Sequence, residues 1–374
     1  MPFTPLTARR WTPRRLVARY GAPVVVVAGL LLSSNVAVAA ARPSVRVARP
    51  DSARVVATYG AGASTPHYIG ADIRLHELFV SHLALGTVTV LNASTGQLLH
   101  TIPLGGVLHT VVVDQVAQLV YVADIARGYV DVVNAVSDRL VRRIDVGGHP
   151  HGLALSPSGR RLWVSNIGTS QIDVVDAGSG RVLARVSVGP NPWGVAFDPA
   201  TDTVWSANTG VGPTGVVNPA GDTLTAINAR TNRVLRTVTV GPHPWWVLAD
   251  IGTGSVYADL AGANQVVVVR GWSVAQRIAV GVSPHGLALD RRSGLLLVDD
   301  SGSNQVTVID TATNRVVRTL PTGAQPQGVA VDAGSGTAYI ANQGSATVTV
   351  VAARWSHAAV TGGPRRLGLS AGPR

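Results

Sequence analysis

An eleven-residue frame returns seven times along this chain at a nearly constant interval, and that period limits the fold more than any single motif does. The frame is clear in "VGGHPHGLALS" from Val146, "VGPNPWGVAFD" from Val188, "VGPHPWWVLAD" from Val240, "VGVSPHGLALD" from Val280 and "TGAQPQGVAVD" from Thr322. Weaker copies are "LGGVLHTVVVD" from Leu104 and "GASTPHYIGAD" from Gly62, the latter aligned back from Pro66. Successive frames are 42, 42, 42, 52, 40 and 42 residues apart, so one unit carries an insertion of about ten residues.

Within each unit, four short runs rich in Val, Ile, Leu and Thr are separated by Gly, Asn, Asp and Ser turns, the pattern of strands joined by tight reversals. In the third unit these are "HGLALS", "RRLWVSN", "SQIDVVDA" and "RVLARVSV". Four strands per repeat of this length is the signature of a β-propeller blade, and seven units fall within the usual number. The expected fold is therefore an all-β, seven-bladed propeller of four-stranded blades. Its last unit supplies only three strands, "QGVAVD", "GTAYIAN" and "ATVTVVA", while Ala53–Tyr59 resembles the missing fourth. A ring left open would expose sheet edges, so the N-terminal strand is expected to complete the last blade.

The runs "RRLWVSN", "DTVWSAN" and "GTAYIAN", each following a proline frame and an apolar strand, resemble the repeats of the YVTN family of β-propeller proteins. The resemblance spans Ala53–Ala352. It implies the propeller fold and an exported or surface-layer setting, and it assigns no catalytic residue. The chain resembles the seven-bladed streptogramin lyases more distantly, with none of their catalytic motifs matched.

Residues 1–41 read as a signal peptide: Arg9, Arg10, Arg14, Arg15 and Arg19 precede the apolar run "APVVVVAGLLL" and the small-residue segment "NVAVAAA". That run falls short of the roughly 20 residues of a membrane span, so cleavage near Ala39 or Ala41 is expected, with an uncleaved anchor as the alternative. The propeller is assigned to 42–352 and a polar, disordered tail to 353–374. The formal net charge of +11 falls to +6 without the five leader arginines, and four more arginines lie in the tail. A basic balance held in the ends argues against a nucleic-acid partner. The chain has no cysteine, which excludes thiolate and disulfide chemistry. A secreted or envelope location, a monomer, and a small molecule, cell-surface component or protein as partner are the corresponding expectations.

Strands alternate in direction, so the loop entering strand one and the loop leaving strand two open on the same face of every blade. At the axial end of strand one stand His67, His109, His151, Trp193, Trp245, His285 and Gln327. Four histidines at one axis could hold a transition metal ion, an arrangement similar in geometry to that of the carotenoid oxygenases; His67, His109, His151 and His285 are the candidate ligands. Polar filler at a loop-to-strand junction, copied by duplication, accounts for the same residues and is the favoured reading. Trp193, Trp245 and Trp246 offer stacking faces for an organic ligand, and His149 and His243 lie a step outward. The end of strand two carries His82, Asp124, Asn166, Asn208, Asp259, Asp300 and Asn342; Asp124, Asn166 and Asn208 are candidate ligand contacts, or else turn formers. Asp72, Asp114, Asp198, Asp250, Asp290 and Asp332 close strand one on the opposite face as turn caps. The insertion Thr209–Asp222 leaves strand two of the fourth blade and should overhang the mouth near Trp193. Binding is the expected function; the alternative is a metal-dependent lyase or oxygenase, which no nucleophile elbow or paired carboxylate supports.

Overall fold

A computed structural model describes residues 53–212 and 215–353; the expected signal peptide at 1–41 and the tail lie outside them. These residues form 28 strands in seven four-stranded antiparallel sheets. Six blades use four consecutive strands. The seventh has the order β1–β28–β27–β26, in which β1 (Ala53–Gly60) lies beside β28 (Thr347–Ala353), then β27 (Ala338–Asn342) and β26 (Pro326–Val331). The N-terminal strand thus completes the last blade, with Arg54 opposite Ala352 and Gly60 opposite Thr347. Among the described residues no helix is long and apolar enough to cross a membrane.

Burial follows the position of a strand in its blade. Strand two of the third blade, Arg161–Asn166, is buried along "LWVSN", because both faces of a middle strand are covered by neighbouring blades. Its outer strand, Val182–Ser187, alternates between covered and exposed residues. Seven apolar clusters each join residues of two adjacent blades, one per inter-blade interface. The aromatic residue of the repeat motif is central to them: Phe79, Tyr121, Trp163, Trp205, Tyr257 and Tyr339 are all buried, and Trp163 stacks on Phe197 of the next blade at 4.6 Å. Each large flat side chain fills the wedge between two twisted sheets, where truncation would leave a cavity.

The aspartates ending strand one act as turn caps. Asp72 Oδ1 accepts from the amides of Arg74 and Leu75 at 2.8 and 3.0 Å, and Asp114 and Asp332 repeat the pattern. These short-range bonds compensate backbone donors at a reversal, the usual task of Asp in such turns.

Ring closure is the long-range contact on which the last blade depends. Removing residues 53–59 should lower the melting temperature by at least about 10 °C, because it unpairs a full strand and bares an edge. Removing 355–374 should leave it within about 1 °C. Equal melting of the two truncated proteins would show that the seventh blade does not need its borrowed strand.

Candidate functional site

Six of the seven inner strands begin with the frame proline, and that of blade two with Leu108; this residue pairs with the last residue of strand two, and the strand then departs from regular pairing. In the first blade Pro66 faces His82 and the next pair is Ile69 with Val80, so His67 and Tyr68 together stand opposite Ser81. The same irregularity follows Pro150, Pro192 and Pro244. A bulge of this kind turns two successive side chains where a regular strand would turn one. Two layers of side chains therefore reach the axis where the second residue is not glycine, as at Tyr68, Thr110 and Trp246.

The upper layer is continuous. Ring centroids are 4.1 Å apart for His67–His109, 3.9 Å for His109–His151, 4.5 Å for His151–Trp193, 4.3 Å for Trp193–Trp245 and 4.5 Å for Trp245–His285. His285 lies 5.8 Å from His67 across the ring, and its Nδ1 meets the Gln327 carbonyl at 2.8 Å. The side chain of Gln327 turns aside, its amide donating to Ser301 Oγ at 2.9 Å. The four histidines are buried, while Trp193 and Trp245 are partly exposed. Tyr68 lies in the layer below, 5.0 Å from Trp246 and within 6.4 Å of His109, His151 and His285.

Glycine permits this density. A Cβ on Gly194 would lie 2.7 Å from the Trp245 carbonyl, so only a residue without a side chain lets the two inner strands approach so closely. Gly148 has a second reason for being glycine. Its φ is 54°, and a Cβ there would lie 2.0 Å from Asn166 Oδ1.

Burial sets the charge state of the ring. His285 is pushed down to about 4 by burial. His151 falls to about 3 through burial first and then the positive field of His285. His67 and His109 are held well below the usual imidazole range, by burial and then by their histidine neighbours. All four imidazoles are therefore neutral near pH 7. Nε2 of His67 and Nε2 of His109 are 3.0 Å apart and hydrogen-bond to each other. Among the described residues no three His, Asp or Glu side chains are arranged to hold a metal ion; the structure brings His67, His109, His151 and His285 together in edge-on and tilted contacts.

The second ring has different work. Asp124 accepts from the Val107 and Arg127 amides and pairs with the Arg127 guanidinium. Asn166 accepts from the His149 amide at 2.9 Å and donates to the Gly147 carbonyl at 3.0 Å, and Asn208 donates to Thr223 and Thr225. All three are fully buried, with their polar atoms committed to loops and to the third strand. In the fifth blade the sequence expectation of Asp259 at this position is corrected: Pro244 pairs with Leu260, and Asp259 sits one residue earlier, bonded to the Trp245 and Trp246 amides at 3.1 and 2.6 Å. The ten-residue offset from the strand-one aspartate, constant in the other blades that carry one, identifies Leu260; polarity alone suggests Asp259.

His149 and His243, matched in sequence, occupy different settings. His149 is exposed. His243 adopts φ 56° and meets the Thr209 carbonyl through Nδ1 at 3.3 Å. Thr209 opens the insertion, which forms a small hairpin closed by a Val211–Val217 bridge, and the Trp193 indole donates to the Val211 carbonyl at 3.2 Å. The insertion thus fixes Trp193 at the edge of the ring, with Val216 and Val217 exposed at 70% and 53%. Sequence reasoning missed Tyr68 and Asp299 and set Asp259 one residue too far out; the bulge that turns Tyr68 inward has no residue signature of its own.

The fold and this plugged axis define a seven-bladed β-propeller whose central mouth is lined by imidazole and indole. Among solved structures it is similar to a hydrazine synthase chain of Kuenenia stuttgartiensis, with a TM-score of 0.67 and 19% identity, over 78% of this chain and 96% of that one. This likeness is one of fold. No protein-family description matches the chain, and no curated protein does, so the YVTN resemblance rests on the repeat motifs themselves.

The neutral ring has a measurable consequence. Between pH 6.5 and 4 the unfolded chain takes up protons on His151 and His285 that the folded chain does not, so each of them costs stability as the pH falls through that window. The stability gap between the native protein and the His151→Gln, His285→Gln double variant should change in the variant's favour by about 1 kcal/mol per pH unit for each imidazole. Urea midpoints at pH 7, 6, 5 and 4 check this; a gap constant across the series would mean that the two rings are not buried as neutral groups.

Proposed function

We propose that this chain is an exported binding protein that holds its ligand at the axial mouth, against Trp193 and Trp245 and beneath the blade-four hairpin. One observation carries the reading. In a ring where the histidines are buried, the two indoles stay partly exposed on the side overhung by the hairpin, and that hairpin anchors one of them. Adjacent indole faces held by backbone suit a flat organic ring or the apolar face of a sugar. Trp245 Nε1 is buried without a partner, which leaves a donor for a ligand acceptor. Trp246 supports the floor through Tyr68. Export is inferred from the arginine-rich, apolar segment at residues 1–41, and the absence of cysteine is compatible with either side of a membrane.

The neutral histidines, packed edge-on and tilted against one another, favour a lining of the mouth over a catalytic centre. Titrating the protein with soluble aromatic acids, flavins and cell-envelope oligosaccharides, with tryptophan fluorescence as the readout, tests the reading. A binder from this panel should lose about tenfold in affinity in Trp245→Ala and in Trp193→Ala, the scale expected when a stacking face is removed. Affinity unchanged in both variants would move the ligand away from the mouth. Elemental analysis of the untagged protein tests the metal-enzyme alternative, since about one Zn, Fe or Cu per chain would redirect the search to substrates.

A further inference from the structure

Below the histidine ring, two carboxyl groups face the axis with no positive partner. Asp259 and Asp299 occupy equivalent places in blades five and six, at the next-to-last position of strand two, and both are 0% exposed. Asp259 uses Oδ1 on two backbone amides and leaves Oδ2 without a partner, and Asp299 meets only the backbone amides of His285 and Gly286, in looser geometry. Farther out, Asp131 is matched by Arg143 and Arg127 at 2.9 and 3.3 Å and Asp173 by Arg185 at 3.4 Å, while the adjoining Asp300, equally buried, is bonded by no side chains but the neutral Thr307 and Gln305. Tyr68 reaches the same place from blade one. Its hydroxyl is buried and unpartnered, its ring packs on Trp246 beside Asp259, and its ionisation is opposed by Asp299 and Asp259 in that order after burial. Thr110 Oγ1, on the adjoining inner strand, is buried and unpartnered too.

The remaining blades show what this position ordinarily does. Ser81 and Ser165 accept from their own inner strand, from the Tyr68 amide at 3.1 Å and the Gly152 amide at 2.7 Å, and they donate to the carbonyl of the next blade, Ser81 to His109 at 2.5 Å and Ser165 to Trp193. A hydroxyl can both accept and donate; an ionised carboxylate only accepts. In blades five and six the corresponding next-blade carbonyls belong to His285 and Gln327. Carboxylates set among carbonyl and hydroxyl oxygens concentrate negative potential, and a buried carboxylate is ordinarily matched by a cation. An all-oxygen donor set selects a hard ion over a transition metal.

We propose that Asp259 and Asp299, together with the hydroxyls of Tyr68 and Thr110, hold a hard, oxygen-seeking cation on the propeller axis below the histidine ring. The ion ties blades one, two, five and six across the centre. It is distinct from the mouth, whose ligand contacts are indole and imidazole.

The test uses the whole exported chain, freed of metal with a chelator and then titrated separately with calcium, magnesium, manganese and zinc. One of the first three should bind at about one per chain and raise the melting temperature by about 5 °C at a hundredfold excess over its Kd. Asp259→Asn and Asp299→Asn should each remove that shift. Metal content and the melting shift of the unsubstituted protein decide the question even if a variant fails to fold. Any of three results overturns the proposal: no shift with calcium, magnesium or manganese, a response to zinc alone, or a shift that survives in both Asn variants. The first, with both variants melting at least as high as the native protein, would mean that the two acids keep their protons.

Discussion

Seven inner strands converging on one axis leave space for few side chains of ordinary size, and this crowding governs the rest of the molecule. The closed ring fixes how near the strands come. Gly194 sits where any Cβ would strike the neighbouring inner strand, and the bulge at the start of the inner strand sends two side chains inward from blades one, two and five. Aromatic and imidazole rings meet at close to 4 Å because the backbones carrying them cannot separate without breaking the apolar contacts between blades.

Polar groups at such a centre are costly unless they are matched, and the protein solves the problem differently at two radii. Farther from the axis, Asp131 and Asp173 are matched by arginines whose heads reach solvent. Nearer the axis no arginine is available, and the histidines remain by staying neutral. With no cation beside them the acids there are held toward the protonated form, Asp299 pushed up to about 8 by burial and then by Asp300, and Asp300 up to about 6 by burial. Imidazole and carboxyl shifts act on stability in opposite senses. A depressed imidazole penalises acid conditions, whereas a raised carboxyl penalises alkaline ones once the unfolded chain has released its proton. Unless a cation matches the acids, the centre is therefore best tolerated uncharged.

Much of this could be read from the residues. The 42-residue period gives four strands per blade, and the three-strand last unit points to Ala53–Tyr59 as its partner, which the β1–β28 pairing bears out. The ring of His67, His109, His151, Trp193, Trp245, His285 and Gln327 follows from a constant offset, since repeated sequence at repeated geometry must converge. What could not be read depends on three-dimensional packing. Tyr68 comes to the axis only because of a bulge, and bulges leave no fixed residue pattern. Burial, too, is invisible in a motif: Asp124, Asn166 and Asn208 look like rim residues, yet they lie under the loops they hold.

Departures from the repeat say more about use than the repeat itself. Duplication alone explains a residue shared by most blades, because a copied unit brings its residues along whether or not they serve a purpose. It does not explain why indoles replace imidazoles in blades four and five, why the insertion lies over those indoles, or why Asp replaces Ser or Ala at one inner position of blades five and six. These departures fall in adjacent blades, one half of the ring. A scaffold that only displayed its surface would gain nothing from altering buried axial positions on one side. Asymmetry that runs from the exposed hairpin through the half-exposed indoles to the buried acids is instead what the two proposed sites would require, an organic ligand at the indoles and an ion at the acids beneath the closed ring.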